Sequence, residues 1–96
     1  MQHRKLCFIG AGNMAGAIIS GLVESGYPAA LISVCAPSAT HRDVLAEKYG
    51  VKSSSDNNGC ANEADVVVLS VKPQMMADVC KALQKDVDFS GKLVLS

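Results

Sequence analysis

The sequence has no basic stripe, no acidic tail and no net charge, since nine basic side chains balance nine acidic ones. The electrostatic footprint of a nucleic-acid-binding protein is therefore missing. No signal peptide or membrane span is legible, because purely apolar runs such as Val66–Leu69 are far too short to cross a bilayer. A cytoplasmic protein with neither membrane nor nucleic acid as partner is expected. The four cysteines, Cys7, Cys35, Cys60 and Cys80, contain no C-x-x-C pair, and His3 and His41 stand at no metal-ligand spacing. Buried free thiols are expected in place of disulfides or a metal centre. Internal repeats and flexible linkers are missing too, so residues 1–96 should form one domain with the ordinary apolar share of 49%.

The informative stretch is Lys5-Leu6-Cys7-Phe8-Ile9-Gly10-Ala11-Gly12-Asn13-Met14-Ala15-Gly16. An apolar strand runs into a glycine-rich turn, and a helix starts on the far side. Gly10 permits the tight turn, and Gly12 lets bare backbone approach a pyrophosphate facing the helix N-terminus. Ala15 takes the position where G-x-G-x-x-G/A requires a small residue, and Gly16 keeps that contact narrow. Ala15, Ile18, Ile19 and Leu22 fall on one helical face, and Gly26 is placed to end the helix.

Strand and helix patterns alternate from there. Leu31–Cys35 reads as a second strand, followed by a helix over 42–49 capped by Thr40, with Val44, Leu45 and Tyr49 on its apolar side. A short edge strand over 51–53 and a weak helix ending near Ala64 come next. Val66–Val71 is continuously apolar except at Ser70, as in a parallel strand covered on both faces. Pro73 suits the first turn of a helix carrying Met76, Val79, Cys80 and Leu83, and residues 92–95 begin a last strand. The order βαβαβαβαβ predicts an α/β fold, a Rossmann-like doubly wound parallel sheet with helices on both faces. Its ligand site belongs beyond the carboxyl ends of the central strands, where the loops 10–16 and 70–73 meet.

NAD-preferring sheets place an acidic residue at the end of the second strand to hold the ribose 2′-hydroxyl. Residues 35–42 contain no carboxylate and instead offer Ser38, Thr40 and Arg42. Hydroxyl donors and a guanidinium suit a 2′-phosphate, so NADP(H) is expected over NAD(H). The plainer alternative is that Ser38 and Thr40 only cap the helix and Arg42 is solvated.

Taken together, Phe8 to Ala15 with Ala17-Ile18, and then Val68-Leu69-Ser70-Val71-Lys72-Pro73-Gln74, resemble pyrroline-5-carboxylate reductase along essentially the whole chain. The resemblance implies hydride transfer from NAD(P)H to the imine carbon of 1-pyrroline-5-carboxylate, the last step of proline synthesis. It implies that Ile9, Gly10, Ala11, Gly12, Asn13 and Met14 hold the pyrophosphate, and that Ala36 lies beside the adenosine ribose. Ala36 often has a serine counterpart in the family, and Ser38 is the nearby hydroxyl. Asn57, in the loop after the third strand, would contact the adenosine half, and Ser70, Val71, Lys72 and Pro73 would run beneath the nicotinamide ribose. Lys72 either orients the substrate carboxylate or is an exposed lysine whose backbone matters more than its charge. Family members add a helical domain that forms a homo-oligomer and completes the substrate site. Residues 1–96 alone are therefore expected to bind coenzyme weakly and not to turn over, and apolar surface on the last strand or helix is expected to favour association. Two other readings stand beside this one: another NADP-dependent reductase, such as a hydroxy-acid or coenzyme-F420 oxidoreductase, and a non-catalytic NADP-sensing module.

Overall fold

A computed structural model describes residues 4–36 and 39–95. Its strands are β1 (Leu6–Ile9), β2 (Ile32–Cys35), β3 (Lys52–Ser54), β4 (Val66–Leu69) and β5 (Leu93–Leu95). Four helices alternate with them: α1 (Asn13–Glu24), α2 (Ala39–Tyr49), α3 (Asn57–Glu63) and α4 (Pro73–Asp86). All pairings are parallel, in the order β3-β2-β1-β4-β5. Two crossovers step outward from β1 through β2 to β3, and the chain then returns to the other side of β1. The reversal of strand order therefore falls between β1 and β4, as the sequence pattern predicts.

The pleat divides the core in two. Cys7 and Ile9 face one side with Cys35, Val67 and Leu69, where α3 contributes Ala61 and α4 contributes Leu83. Phe8 points the other way with Val34 and Val68, against Ala15 and Ile19 of α1. Two covered faces explain why β1 and β4 are apolar without alternation. The predicted α4 stripe is present, since Met76, Val79 and Cys80 pack beside Leu83.

Helix α1 ends as the sequence suggests. Gly26 takes φ +95°, its N–H donates to the Val23 carbonyl at 3.1 Å, and the Tyr27 N–H donates to Leu22 at 3.0 Å. This paired closure is the Schellman arrangement that favours glycine. Several details differ from the sequence reading. Ile18 is 40% and Val44 57% exposed, because α1 and α2 each cover the sheet with a narrower stripe than their periodicity allows. Helix α2 is already under way at Ala39, so Thr40 lies inside its first turn and is not its cap. Gly16 does not narrow the contact with the strand; its open side faces Leu45 of α2, whose Cδ2 would lie 3.3 Å from an added Cβ. Asn57 is the first residue of α3 and not part of a loop.

The cysteine expectation is corrected as well. Cys35 and Cys60 are joined as a disulfide, while Cys7 and Cys80 are free. The bonded pair is 25 positions apart in the chain, so only the tertiary approach of α3 to the end of β2 brings them together. Spacing along the chain carried no sign of it.

Candidate dinucleotide-binding site

The site begins at the carboxyl end of β1. Gly10 has φ +105°, and a Cβ there would sit 2.8 Å from the carbonyl oxygen of Ser70. Backbone handedness and space both demand glycine at this position. Neighbouring strands clamp the turn: the Gly10 N–H donates to the Cys35 carbonyl and the Ser70 N–H to the Ile9 carbonyl, each at 2.8 Å. The Ser70 side chain, buried at the crossing, reaches the carbonyls of Ile9 and Gly10 at 3.1 and 2.9 Å. Its single hydroxyl proton is shared between two acceptors, so Ser70 acts as a clip that fixes the first turn against the fourth strand.

Gly12 is glycine for a different reason. Its φ of −81° suits any residue, and nothing lies within 4 Å of an added Cβ. No fold contact explains the missing side chain, and open space lies in front of it. Gly12 is also the N-cap of α1, and no side chain among the described residues caps the helix. The first N–H groups of the twelve-residue helix thus face that space together with the positive end of its dipole. Asn13 and Met14 open the helix, both exposed, and Met14 is 49% exposed. Such a surface can take an anionic diphosphate against bare main chain.

The second wall is the carboxyl end of β4. Ser70 and Val71 follow the strand, Lys72 is the N-cap of α4 with an exposed side chain, and Pro73 is its first residue. Proline fits there because the first helical N–H has no intrahelical partner to lose. The third wall is the end of β2. Ala36 is buried, and its carbonyl accepts from Arg42 Nη1 at 2.7 Å. Arg42 is only 14% exposed, and its Nε also meets the Asp43 carboxylate at 3.4 Å. Asp43 in turn accepts from the Ser53 hydroxyl at 3.0 Å. Arg42 is therefore not simply solvated: α2 carries it back over the end of β2. Ser38 lies outside the described residues.

Helix α3 closes this side. Asp56 caps it by accepting from the Gly59 N–H at 3.0 Å. A side chain at residue 59 would collide with that carboxylate. The side-chain oxygen of Asn57 is buried with no hydrogen-bond partner among the described residues. The sequence-predicted positions from Ile9 to Met14 and from Ser70 to Pro73 thus meet at the carboxyl ends of the two adjacent interior strands β1 and β4, with Ala36 brought near Gly10 by the bond from the Gly10 N–H to the Cys35 carbonyl. Sequence reasoning missed the hold of Arg42 on the Ala36 carbonyl, which a helix starting at residue 39 makes possible. A separate apolar cleft of about 290 Å3, lined by Leu69, Cys80, Leu83, Phe89 and Val94, lies between α4 and β5. It lacks the glycine turn and the helix terminus.

Comparison with known proteins agrees with this geometry. The family model described as NADP oxidoreductase, coenzyme F420-dependent, matches residues 5–96. A pyrroline-5-carboxylate reductase of Vibrio alginolyticus is 60% identical over the whole chain, which covers 35% of that protein. Among solved structures, a pyrroline-5-carboxylate reductase from Coxiella burnetii superposes with a TM-score of 0.83 at 42% identity, covering 88% of this chain and 31% of that one. The Plasmodium falciparum pyrroline carboxylate reductase, solved with NADP bound, shares the fold with a TM-score of 0.79 at 24% identity, over 98% of this chain and 33% of that one. The chain thus spans about a third of the length of the relatives it matches. The sheet order, the glycine turn and these similarities have one reading: the chain belongs to the NADP oxidoreductase, coenzyme F420-dependent family and has the Rossmann-like fold of pyridine-nucleotide oxidoreductases.

Proposed function

We propose that residues 1–96 are the dinucleotide-binding domain of a pyrroline-5-carboxylate reductase that uses NADPH. The observation that carries this reading is the unfilled space at Gly12, in front of an uncapped helix terminus and against the Ser70–Pro73 wall. The 60% identity to a protein of that name supports the substrate class. When bound, the coenzyme supplies a hydride for the imine carbon of 1-pyrroline-5-carboxylate, giving L-proline. The residues of this chain bind and orient. Backbone N–H groups from Ala11 to Met14 receive the diphosphate. Ala36 and Asn57 line the adenosine side, and Ser70, Val71, Lys72 and Pro73 underlie the nicotinamide ribose.

NADP(H) is favoured over NAD(H) by the end of β2. Residues 35–42 bring no carboxylate, and the nearby Asp43 is already engaged by Arg42 and Ser53. Arg42 retains donors beyond those it uses, and a guanidinium matches a phosphate well. In the full-length enzyme, kcat/KM for NADPH should exceed that for NADH, and Arg42→Gln should narrow the gap by about tenfold, the worth of one charge-assisted contact. Equal or better use of NADH by the unaltered enzyme would contradict the coenzyme assignment.

Lys72 is read as a surface lysine whose backbone caps α4. Lys72→Ala should leave kcat and KM within about twofold, the small effect of trimming an exposed stem. The full-length protein is read as a cytoplasmic homo-oligomer, with neither nucleic acid nor membrane as partner. Among the described residues, no helix is long and apolar enough to cross a membrane. The isolated domain should bind coenzyme weakly and form no proline, because none of the described residues is placed in the crevice as a general acid for imine reduction. Proline formation by residues 1–96 alone would contradict that division of labour.

A further inference from the structure

Three sulfurs, those of Cys7, Cys35 and Cys60, lie within 4.8 Å of one another between the sheet and α3. Cys7 and Cys35 are fully buried, whereas Cys60 is half-buried on α3. Their apolar surroundings, including Ala61, Val67 and Leu69, favour neutral thiols or a disulfide over a cluster of thiolates around a metal ion. We propose that Cys35 and Cys60 form a reversible, oxidant-responsive disulfide that raises coenzyme affinity by fixing α3 against the carboxyl end of β2. The inference rests on the coenzyme reading given above.

The backbone explains the coupling. Cys35 directly precedes Ala36, and its carbonyl accepts the Gly10 N–H at 2.8 Å, so one residue holds both the glycine turn and the ribose side. Cys60 lies three residues beyond Asn57, one helical turn along α3. The bond therefore ties β2 to α3, the elements that carry Ala36 and Asn57 at their crevice ends, across Cα atoms 7.0 Å apart. With the bond broken, α3 is a seven-residue helix held by its Asp56 cap, its packing on the sheet and the hydrogen bonds of Asn58 and Asn62 to Asp86; those bonds tie it to α4, and the disulfide is its covalent tie to β2. A helix of that length has little stability of its own. Fixing it in place removes part of the ordering cost of binding.

The chemistry balances with hydrogen peroxide as oxidant. The Cys60 thiolate attacks one peroxide oxygen, the O–O bond breaks, and hydroxide leaves as water after protonation. The Cys35 sulfur then displaces the hydroxyl of the Cys60 sulfenic acid as a second water, forming the S–S bond. Two electrons pass from the thiols to the peroxide, and a dithiol reverses the change by thiol exchange. Cys7 does not compete. Its sulfur is 3.9 Å from that of Cys35, but the residues are two positions out of register on adjacent strands, and burial pushes the Cys7 thiol up to about 12. A thiol that stays protonated is a poor nucleophile.

The test compares the full-length protein after dithiothreitol and after hydrogen peroxide, by peptide mapping, thermal melting and NADPH titration. We expect a linked peptide pair containing Cys35 and Cys60 in the oxidised sample, a higher melting temperature, and NADPH affinity at least about threefold tighter than in the reduced sample. Cys60→Ser should abolish the linkage and both differences, while Cys80→Ser should preserve them. Absence of the linked pair, or equal NADPH affinity in the two states, overturns the proposal. If neither state binds NADPH although the linkage forms, the coenzyme reading itself has failed and the affinity claim falls with it.

Discussion

Gly10 and Gly12 stand two residues apart in one turn, yet the structure demands them for different reasons. Gly10 carries a positive φ and abuts the Ser70 carbonyl, whereas Gly12 has ordinary dihedrals and open space in front of it. Their substitutions should therefore fail differently. Gly10→Ala should cost about 2 kcal/mol or more of stability, from backbone strain plus the clash, measured by urea unfolding. Gly12→Val should cost only about 1 kcal/mol, the loss of a favourable N-cap residue, while removing NADPH binding. Equal stability losses would show that Gly12 serves the fold alone. The sequence pointed to both glycines, since a glycine spacing between strand and helix is a local pattern. It could not show that Ser70 clips the turn, because that contact joins residues 60 apart in the chain. Nor could it show the disulfide, which depends on the meeting of β2 and α3.

At the scale of elements, helices α1 and α4 were legible because each has a periodic stripe and a clear terminus, Gly26 for one and Pro73 for the other. Helix α2 was less so: none of its described residues is buried, and it is already helical at Ala39, ahead of the Thr40 hydroxyl that the sequence offered as its cap. Helix α3 has one side-chain N-cap, the Asp56 carboxylate. Asp56→Ala should cost about 1 kcal/mol, the usual worth of an N-cap carboxylate, and should increase hydrogen exchange within 57–63 before the rest of the sheet. Strand β5 makes a contrasting case. Leu93, Val94 and Leu95 are 56, 43 and 47% exposed on an edge that pairs only with β4 among the described residues. An apolar edge of this kind invites pairing. Residues 1–96 should show concentration-dependent association in sedimentation velocity, and Val94→Lys should suppress it.

For the whole molecule, titration behaviour follows from where the groups lie. The Cys7 thiol is raised because burial disfavours its charged form, with the Lys92 ammonium only partly offsetting this. A group whose folded value lies above its unfolded one stabilises the fold fully below the unfolded value and loses that contribution as pH rises. Stability should therefore decline from the ordinary thiol range toward pH 12. Cys7→Ala should flatten that part of the profile, and an unchanged slope would place its origin elsewhere. Asp88 behaves in the opposite sense. The Ser90 backbone N–H holds its carboxyl below the usual range, so its contribution is present above the unfolded value and is lost as pH falls through the folded one.

The central claim is that a diphosphate-bearing coenzyme rests on bare main chain at the first crossover. Amide chemical shifts of the labelled chain, followed during NADPH titration, report that contact residue by residue. The account predicts saturable changes concentrated at Gly10 to Ala15 and at Ser70 to Val71, abolished by Gly12→Val. Changes confined to the apolar cleft between α4 and β5, or none at saturating NADPH, would contradict it.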